Sequence, residues 1–307
     1  MSDRAKRLGG KLLMEVGKVE DLSSVPFTCI PPLATLLQNP NSPTQILELI
    51  SPPTPYHPSP AGKTSLLQHI IAHALLPSQE SAIILIDPLS HFSVPRLTSI
   101  LLHHLKSTTT TTKDWPEMKA TVKTALSHVH IFRPQTWPSL LATLTSLPTY
   151  LFDAKKHASM NRRIHSICLE DIDTFIWSIR TNSSSSFHAV TNPLATASSQ
   201  LTRHLTKLSS LLSCAILLTS RSSTPSTFRP LLPLSWPPGT PLTRLAVRRV
   251  DVGKFAPAIS GEEAEVEREK RWSVVRRARF ECWRVGAGRV DGLGFVFRVG
   301  DGVEIEN

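Results

Sequence analysis

HPSPAGKTSLLQHIIAHALL, residues 57–76, is the stretch on which the fold turns. Its Gly62, Lys63 and Thr64 form the second half of the pattern GxxxxGK[ST], a loop whose backbone N–H groups converge on phosphate with no Cβ in the way. In such a loop the lysine neutralises phosphate charge and the hydroxyl serves Mg2+. The first glycine of the pattern is replaced by His57, and Pro58 and Pro60 remove two N–H donors. After Thr64, residues Leu66, Leu67, Ile70, Ile71, Ala74 and Leu75 fall on one helical face, and Pro77 ends the helix. Upstream, QILELI at 45–50 reads as a strand, and the five prolines of SPPTPYHPSPAGKT imply an extended loop. A GKT tripeptide alone is common; its position between a strand and an amphipathic helix is what points to a phosphate-binding loop.

Working outward, the alternation of strand and helix continues. SAIILID is an apolar run closing on an acid, as a buried parallel strand would be. SVPRLTSILLHHLK reads as a helix capped by Ser93 with Pro95 in its first turn, running into a TTTTT tract. DWPEMKATVKTALSH predicts a helix, VHIF a strand, WPSLLATLTSLPTYLF a further helix and RIHSICLEDID a second apolar strand ending in acids. Leu201, Leu205, Leu208 and Leu212 set the register of another helix before the strand SCAILLTSR. Such units imply an α/β fold with a mainly parallel sheet flanked by helices. Beyond Arg221, LTRLAVRRV, WSVVRRARFECWRV and GLGFVFRVGDGVEI alternate like antiparallel strands, an edge extension of the same sheet. The chain thus divides into an N-terminal arm and linker, 1–43, and one domain, 44–307. Low-complexity loops at 107–113, 181–192 and 221–240 and a charged insertion at 260–271 interrupt that domain.

The 307 residues are 40% hydrophobic and 19% charged, the composition of a chain with a sizeable core. No apolar run approaches the roughly 18–20 residues that span a bilayer, and the N-terminus lacks a signal-peptide apolar region, so a soluble, intracellular protein without membrane contact is expected. Cys29, Cys168, Cys214 and Cys282 form no CxxC pair, which suggests neither a zinc site nor a disulfide framework; three lie in apolar runs and read as buried thiols. The net charge of +10 favours a polyanion, and seven arginines crowd the segment from Arg271 to Arg298 against Glu281 and Asp291.

Asp87 ends the strand after the GKT helix, and Glu170, Asp171 and Asp173 cluster after RIHSICL. Glu170 and Asp171 stand where an acid would hold Mg2+ through water, or equally where strand-end acids cap the next helix. His69 and His73, four apart on one helix, read as histidines at the edge of a packed helix, because no third ligand is spaced with them. No GxSxG elbow supports serine-nucleophile chemistry.

The order and spacing of these motifs resemble the eukaryotic RecA-like recombinase paralogues. ILELI followed by GKT resembles that family's first strand and phosphate loop. In IDPLSHFSVPRL, Asp87, His91, Phe92, Arg96 and Leu97 match the family's acid-to-arginine spacing without a gap. LEDIDTFIWSIR, with Phe175, Trp177 and Arg180, resembles its Walker B strand and exit, and FVFRVGDGVEI its last strand. The resemblance covers most of residues 44–307 and implies a RecA-like P-loop NTPase core that handles ATP and Mg2+ through Gly62, Lys63, Thr64, Glu170 and Asp171. It further implies a nuclear subunit that assembles with other RecA-like recombinase paralogues in homologous-recombination repair of DNA double-strand breaks.

Departures from the family pattern bear on chemistry. The acid that activates water two residues beyond Asp87 is here Leu89, which cannot act as a base. Glu170 stands at the Walker B aspartate, and His57 at the first loop glycine, so weak or absent hydrolysis is expected and no catalytic residue is assigned. DNA-binding loops should follow the last two core strands. In the second, Arg221 and Arg229, with Phe228 and Trp236, offer charge and stacking to single-stranded DNA, or the loop is a disordered insertion. Two other readings stand beside this one: an active DNA-dependent ATPase, and a pseudo-NTPase scaffold unrelated to recombination.

Overall fold

A nine-stranded sheet in the order β3-β2-β4-β5-β1-β6-β7-β8-β9 organises the chain in a computed structural model. The structure describes residues 27, 30–37, 42, 44–53, 62–108, 114–183, 192–224, 226–250, 259–276, 278–286 and 294–306. The amphipathic GKLLMEV stretch, His57 with its two neighbouring prolines, and most of the threonine and serine tracts lie outside these residues.

The strands are β1 (Ile46–Ser51), β2 (Ser81–Ile86), β3 (Val129–Phe132), β4 (Arg163–Leu169), β5 (Ala215–Arg221), β6 (Leu242–Arg249), β7 (Arg279–Arg284), β8 (Gly294–Val299) and β9 (Val303–Glu306). Strands β1 to β6 run parallel, and β7 to β9 continue the sheet antiparallel. The helices are α1 (Pro31–Ala34), α2 (Lys63–Ala74), α3 (Val94–Thr108), α4 (Trp115–Leu126), α5 (Trp137–Leu151), α6 (Ile176–Ser183), α7 (Pro193–Leu212) and α8 (Gly261–Arg276).

Both faces of the parallel strands are buried, which is why they read as continuous apolar runs. Side chains alternate between the two faces. Leu47, Leu49, Ile83, Leu85, Ala215 and Leu217 join α2, α3 and α4 in one core. Ile46, Ala82, Ile84, Ile86, Ile216 and Leu218 face α5, α6 and α7 in the other. Helix α2 contributes Leu66, Leu67, Ile70 and Ile71, all fully buried, at about 1.5–3 kcal/mol of apolar transfer each. Its remaining face is also covered, since Gln68, His69 and Ala72 are buried. Local signals start α3 and α5 where the sequence expects helices. The Ser93 hydroxyl accepts the Arg96 N–H at 3.3 Å, and Thr136 and Ser139 form a reciprocal capping box on α5.

Three expectations need correction. Strand β6 is parallel to β1, pairing Ile46 with Leu242, so the antiparallel extension begins only at β7. WSVV is not strand: Trp272–Arg276 finishes α8, and β7 starts at Arg279. The charged insertion nucleates that helix, because the Ser260 hydroxyl accepts the Glu263 N–H at 3.3 Å while the Glu263 carboxylate accepts the Ser260 N–H at 3.0 Å. The last two strands, β8 and β9, are antiparallel as expected and turn at Gly300–Gly302.

Parts of the chain expected to be peripheral pack against the core. Phe27, Ile30, Leu33, Leu36 and Leu37 of the N-terminal arm are buried in the α2–α3 core. In the loop after β5, Leu232 and Leu234 are buried on the opposite face, and Ser222 bridges Pro230. The described part of that loop is thus a packed connection rather than a disordered insertion. Cys168, Cys214 and Cys282 are free buried thiols, as expected, and burial pushes Cys168 and Cys214 up to about 12. No described helix is long and apolar enough to cross a membrane.

Candidate functional site

The C-terminal ends of β1, β4 and β5 lie side by side in the sheet, and the sequence-predicted residues converge there. Strand ends of an open parallel sheet are where such folds hold ligands. Gly62 sits at φ 84°, ψ 0°, the left-handed cap of α2, a conformation that favours glycine. A Cβ added to Gly62 would stand 2.8 Å from the Phe280 ring of β7. The antiparallel extension therefore backs directly onto the GKT turn.

Lys63 is buried, with 8% of its surface exposed. Its ammonium donates to Ser51 Oγ at 2.9 Å, at the end of β1, and to the Ser220 carbonyl at 2.8 Å, at the end of β5. Asp171 Oδ1 lies 3.7 Å away. The ammonium thus donates to two oxygens with the Asp171 carboxylate nearby, and the lysine is folded back on the ends of β1 and β5. Burial holds its pKa below the usual lysine value, and the neighbouring Asp171, Asp173 and Glu170 partly restore it.

Thr64 donates its hydroxyl to Glu170 Oε1, a contact that joins residues 106 apart in sequence. The other oxygen, Glu170 Oε2, is buried without a partner among the described residues. Burial pushes the Glu170 carboxyl up to about 7; the Thr64 hydroxyl opposes that rise, while Asp171 and Asp87 add to it. The single Thr64 donor does not offset the burial of this acid.

Asp171 takes a left-handed φ of 48° and donates its N–H to Thr219 Oγ1 at 2.8 Å. Its Oδ2 meets His91 Nδ1 at 2.8 Å. Asp173 pairs with Arg221 at 2.8 Å and also accepts the Arg221 N–H at 3.3 Å. Asp87 accepts the backbone N–H groups of His91 at 3.0 Å and Phe92 at 3.1 Å, which shapes the turn after β2. In that turn Leu89 is 41% exposed.

The structure brings Gly62, Lys63, Thr64, Glu170 and Asp171 into one site. Arg221 joins its edge through Asp173, whereas Arg229 is exposed on the following loop. The stacking role expected of Phe228 is corrected. Phe228 is buried against Ile50 and Ala246 and T-stacks with Trp283, at 5.3 Å between centroids. Trp236 is half-buried and lines a groove along α7 with Arg203 and Lys207.

In the basic C-terminal segment, Arg279 and Arg298 both meet the Glu306 carboxylate, and its Glu281 pairs with Arg248 of β6. Arg96, singled out in IDPLSHFSVPRL, donates to the carbonyls of Asp301 and Gly302 at 3.1 Å each, and so fastens the β8–β9 turn to α3.

Sequence spacing missed three relationships. Ser51 and Ser220 as partners of Lys63, and Phe280 beneath Gly62, depend on sheet order. The expectation that no third ligand accompanies His69 and His73 is wrong. His104 of α3 joins them, and the ligand atoms of all three lie within 4.8 Å of one another. A histidine 31 positions beyond His73 carries no spacing signal; only the packing of α3 on α2 delivers it. Comparison with protein-family models finds none that matches the chain, and none of the curated proteins matches it.

Proposed function

We propose that this chain is a RecA-like recombinase paralogue with a retained but degenerate nucleotide site. It acts as a subunit that assembles with other paralogues in homologous-recombination repair of DNA double-strand breaks, in the nucleus. The short family member it resembles in particular is the X-ray-repair cross-complementing protein two, which is essentially a lone ATPase-type core.

The observation that carries the nucleotide reading is the pairing of Thr64 with Glu170, whose second oxygen is buried without a partner. A helix-start hydroxyl facing a strand-end acid is the donor set that a hydrated Mg2+ beside phosphate requires. The residues present fit Mg-ATP on this side: Thr64 and Glu170 would hold the ion, with Asp171 beside them. Bound Mg-ATP would supply a phosphoanhydride and a counter-ion for its charge. Lys63 would neutralise phosphate only by giving up contacts to Ser51, Ser220 or Asp171, which lowers affinity.

Turnover is disfavoured by the turn after β2. Leu89 holds no proton-accepting atom where an activating acid would stand, while Asp87 is committed to two backbone N–H groups. The reading is therefore structural rather than catalytic. Trp177, 72% exposed on α6 beside Arg180, is a surface aromatic of the kind a partner subunit covers. DNA affinity would come from Arg229 and from the assembled complex more than from this chain alone.

Affinity capture of the tagged full-length chain from its own cells, with mass spectrometry, tests the assembly. Recovery of recombinase-like subunits is expected. Their absence, together with normal resistance of deleted cells to DNA cross-linking agents, would leave a scaffold unrelated to recombination.

A further inference from the structure

Helices α2 and α3 enclose a cluster of imidazoles that the nucleotide reading does not use. His69 and His73 stand one turn apart on α2, and their rings meet edge-on with centroids 4.7 Å apart. His104 of α3 closes the triangle, 5.0 Å from the ring of His69 and 4.3 Å from that of His73. His104 Nε2 lies 3.2 Å from His69 Nδ1. A tetrahedral Zn2+ with Zn–N bonds of about 2.0–2.1 Å sets its nitrogens about 3.3–3.4 Å apart. One edge of such a site is therefore already drawn. The widest separation allowed by the cluster, 4.8 Å, closes by a rotation of the half-buried His73 ring.

The surroundings favour the same chemistry. His69 is 4% exposed, and Ile70, Leu101 and Leu105 belong to the core around the cluster. Among the described residues no carboxylate or thiolate belongs to the cluster, so a hard ion such as Mg2+ is a poor fit, whereas imidazoles suit zinc and its neighbours. His103 lies outside the cluster: its ligand atoms do not join those of the other three, and its Nε2 is 3.8 Å from Glu304.

We infer that His69, His73 and His104 form a three-imidazole site for a divalent transition metal of the zinc class, clamping α2 to α3 and leaving the fourth position to water. Six residues of helix separate Lys63 from His69, about 9 Å of rise, so the site is distinct from the phosphate-binding turn. It lies on the helix that the GKT turn begins. A metal that binds only the folded chain stabilises it, and the gain rises with the logarithm of free metal above the Kd.

The test uses the full chain, stripped with a chelator and titrated with Co2+ and with Zn2+ against a chromophoric competitor. One equivalent should bind, with the visible spectrum of tetrahedral cobalt and no sulfur-to-cobalt charge-transfer band, and thermal stability should rise. His73→Gln and His104→Gln should each weaken binding at least 10-fold, while His204→Gln, on α7, leaves it unchanged. Circular dichroism of the metal-free variants separates loss of ligand from loss of fold. Should a variant fail to fold, the wild-type stoichiometry and cobalt spectrum decide. Absence of saturable binding in the wild type, or equal affinity in the His73→Gln/His104→Gln double variant, overturns the proposal and leaves a hydrogen-bonded histidine cluster.

Discussion

The Lys63 ammonium lies 2.8 Å from the Ser220 carbonyl oxygen, which ties the first residue of α2 to the end of β5, 157 positions away. Held in this way, the lysine joins the ends of β1 and β5 through Ser51 and Ser220. Lys63→Ala should then destabilise the nucleotide-free chain by roughly 1–3 kcal/mol, because the Ser220 carbonyl and the Asp171 carboxylate lose a buried donor. Urea unfolding without nucleotide measures this. An unchanged midpoint would mean that the lysine is free in solution.

Gly62→Ala should cost roughly 1–3 kcal/mol, since φ is 84° and the new methyl meets Phe280 at 2.8 Å. Phe280→Leu in the same chain should recover the part due to the clash but not the part due to φ. The comparison of the two unfolding midpoints separates space from backbone strain.

The turn before β9 depends on one side chain. Arg96→Ala removes two donors from the Asp301 and Gly302 carbonyls. Amide hydrogen exchange across Val303–Glu306 should accelerate by an order of magnitude or more, while the amides of β2 and β4 keep their protection.

Two buried groups set opposite pH dependences. Glu170 is raised from 4.5 to about 7 by burial, so the folded state holds its proton where the unfolded chain has released it. Its contribution is complete below pH 4.5 and is lost as pH rises through 7, about 3 kcal/mol in all. Glu170→Gln should therefore gain stability relative to wild type at pH 8 and not at pH 4. His165 is lowered from 6.5 to about 3 by burial, with Arg163 adding to the effect. The unfolded chain binds its proton first, so stability present above pH 6.5 falls on acidification, by about 2 kcal/mol at pH 5. A His165→Gln variant should lose less stability than wild type between pH 7 and pH 5.

The parallel strands were legible because burial on both faces leaves an unbroken apolar signature, as in SAIILI and RIHSICL. The convergence of Lys63, Thr64 and Glu170 was legible because a strand end and a helix start meet at one end of a parallel sheet. Tertiary partners were not. Nothing local marks Ser220 as the acceptor of Lys63, Phe280 as the floor under Gly62, or His104 as the companion of His69. The alternating pattern of LTRLAVRR suits a half-buried strand of either direction, so it did not disclose that β6 joins β1 in parallel. In the loop after β5, proline content masked the anchoring by Leu232 and Leu234, and an apparently free Phe228 proved to be core.

The central claim is a nucleotide site kept without efficient turnover, and a single assay addresses it. Binding of a fluorescent ATP analogue and steady-state phosphate release are followed together, with and without single-stranded DNA, in wild type, Thr64→Val and Lys63→Ala. Weak, Mg2+-dependent binding that is lost in Thr64→Val, with no DNA-stimulated phosphate release, is the expected result. DNA-stimulated turnover that Lys63→Ala abolishes would contradict the claim and make the chain an active ATPase.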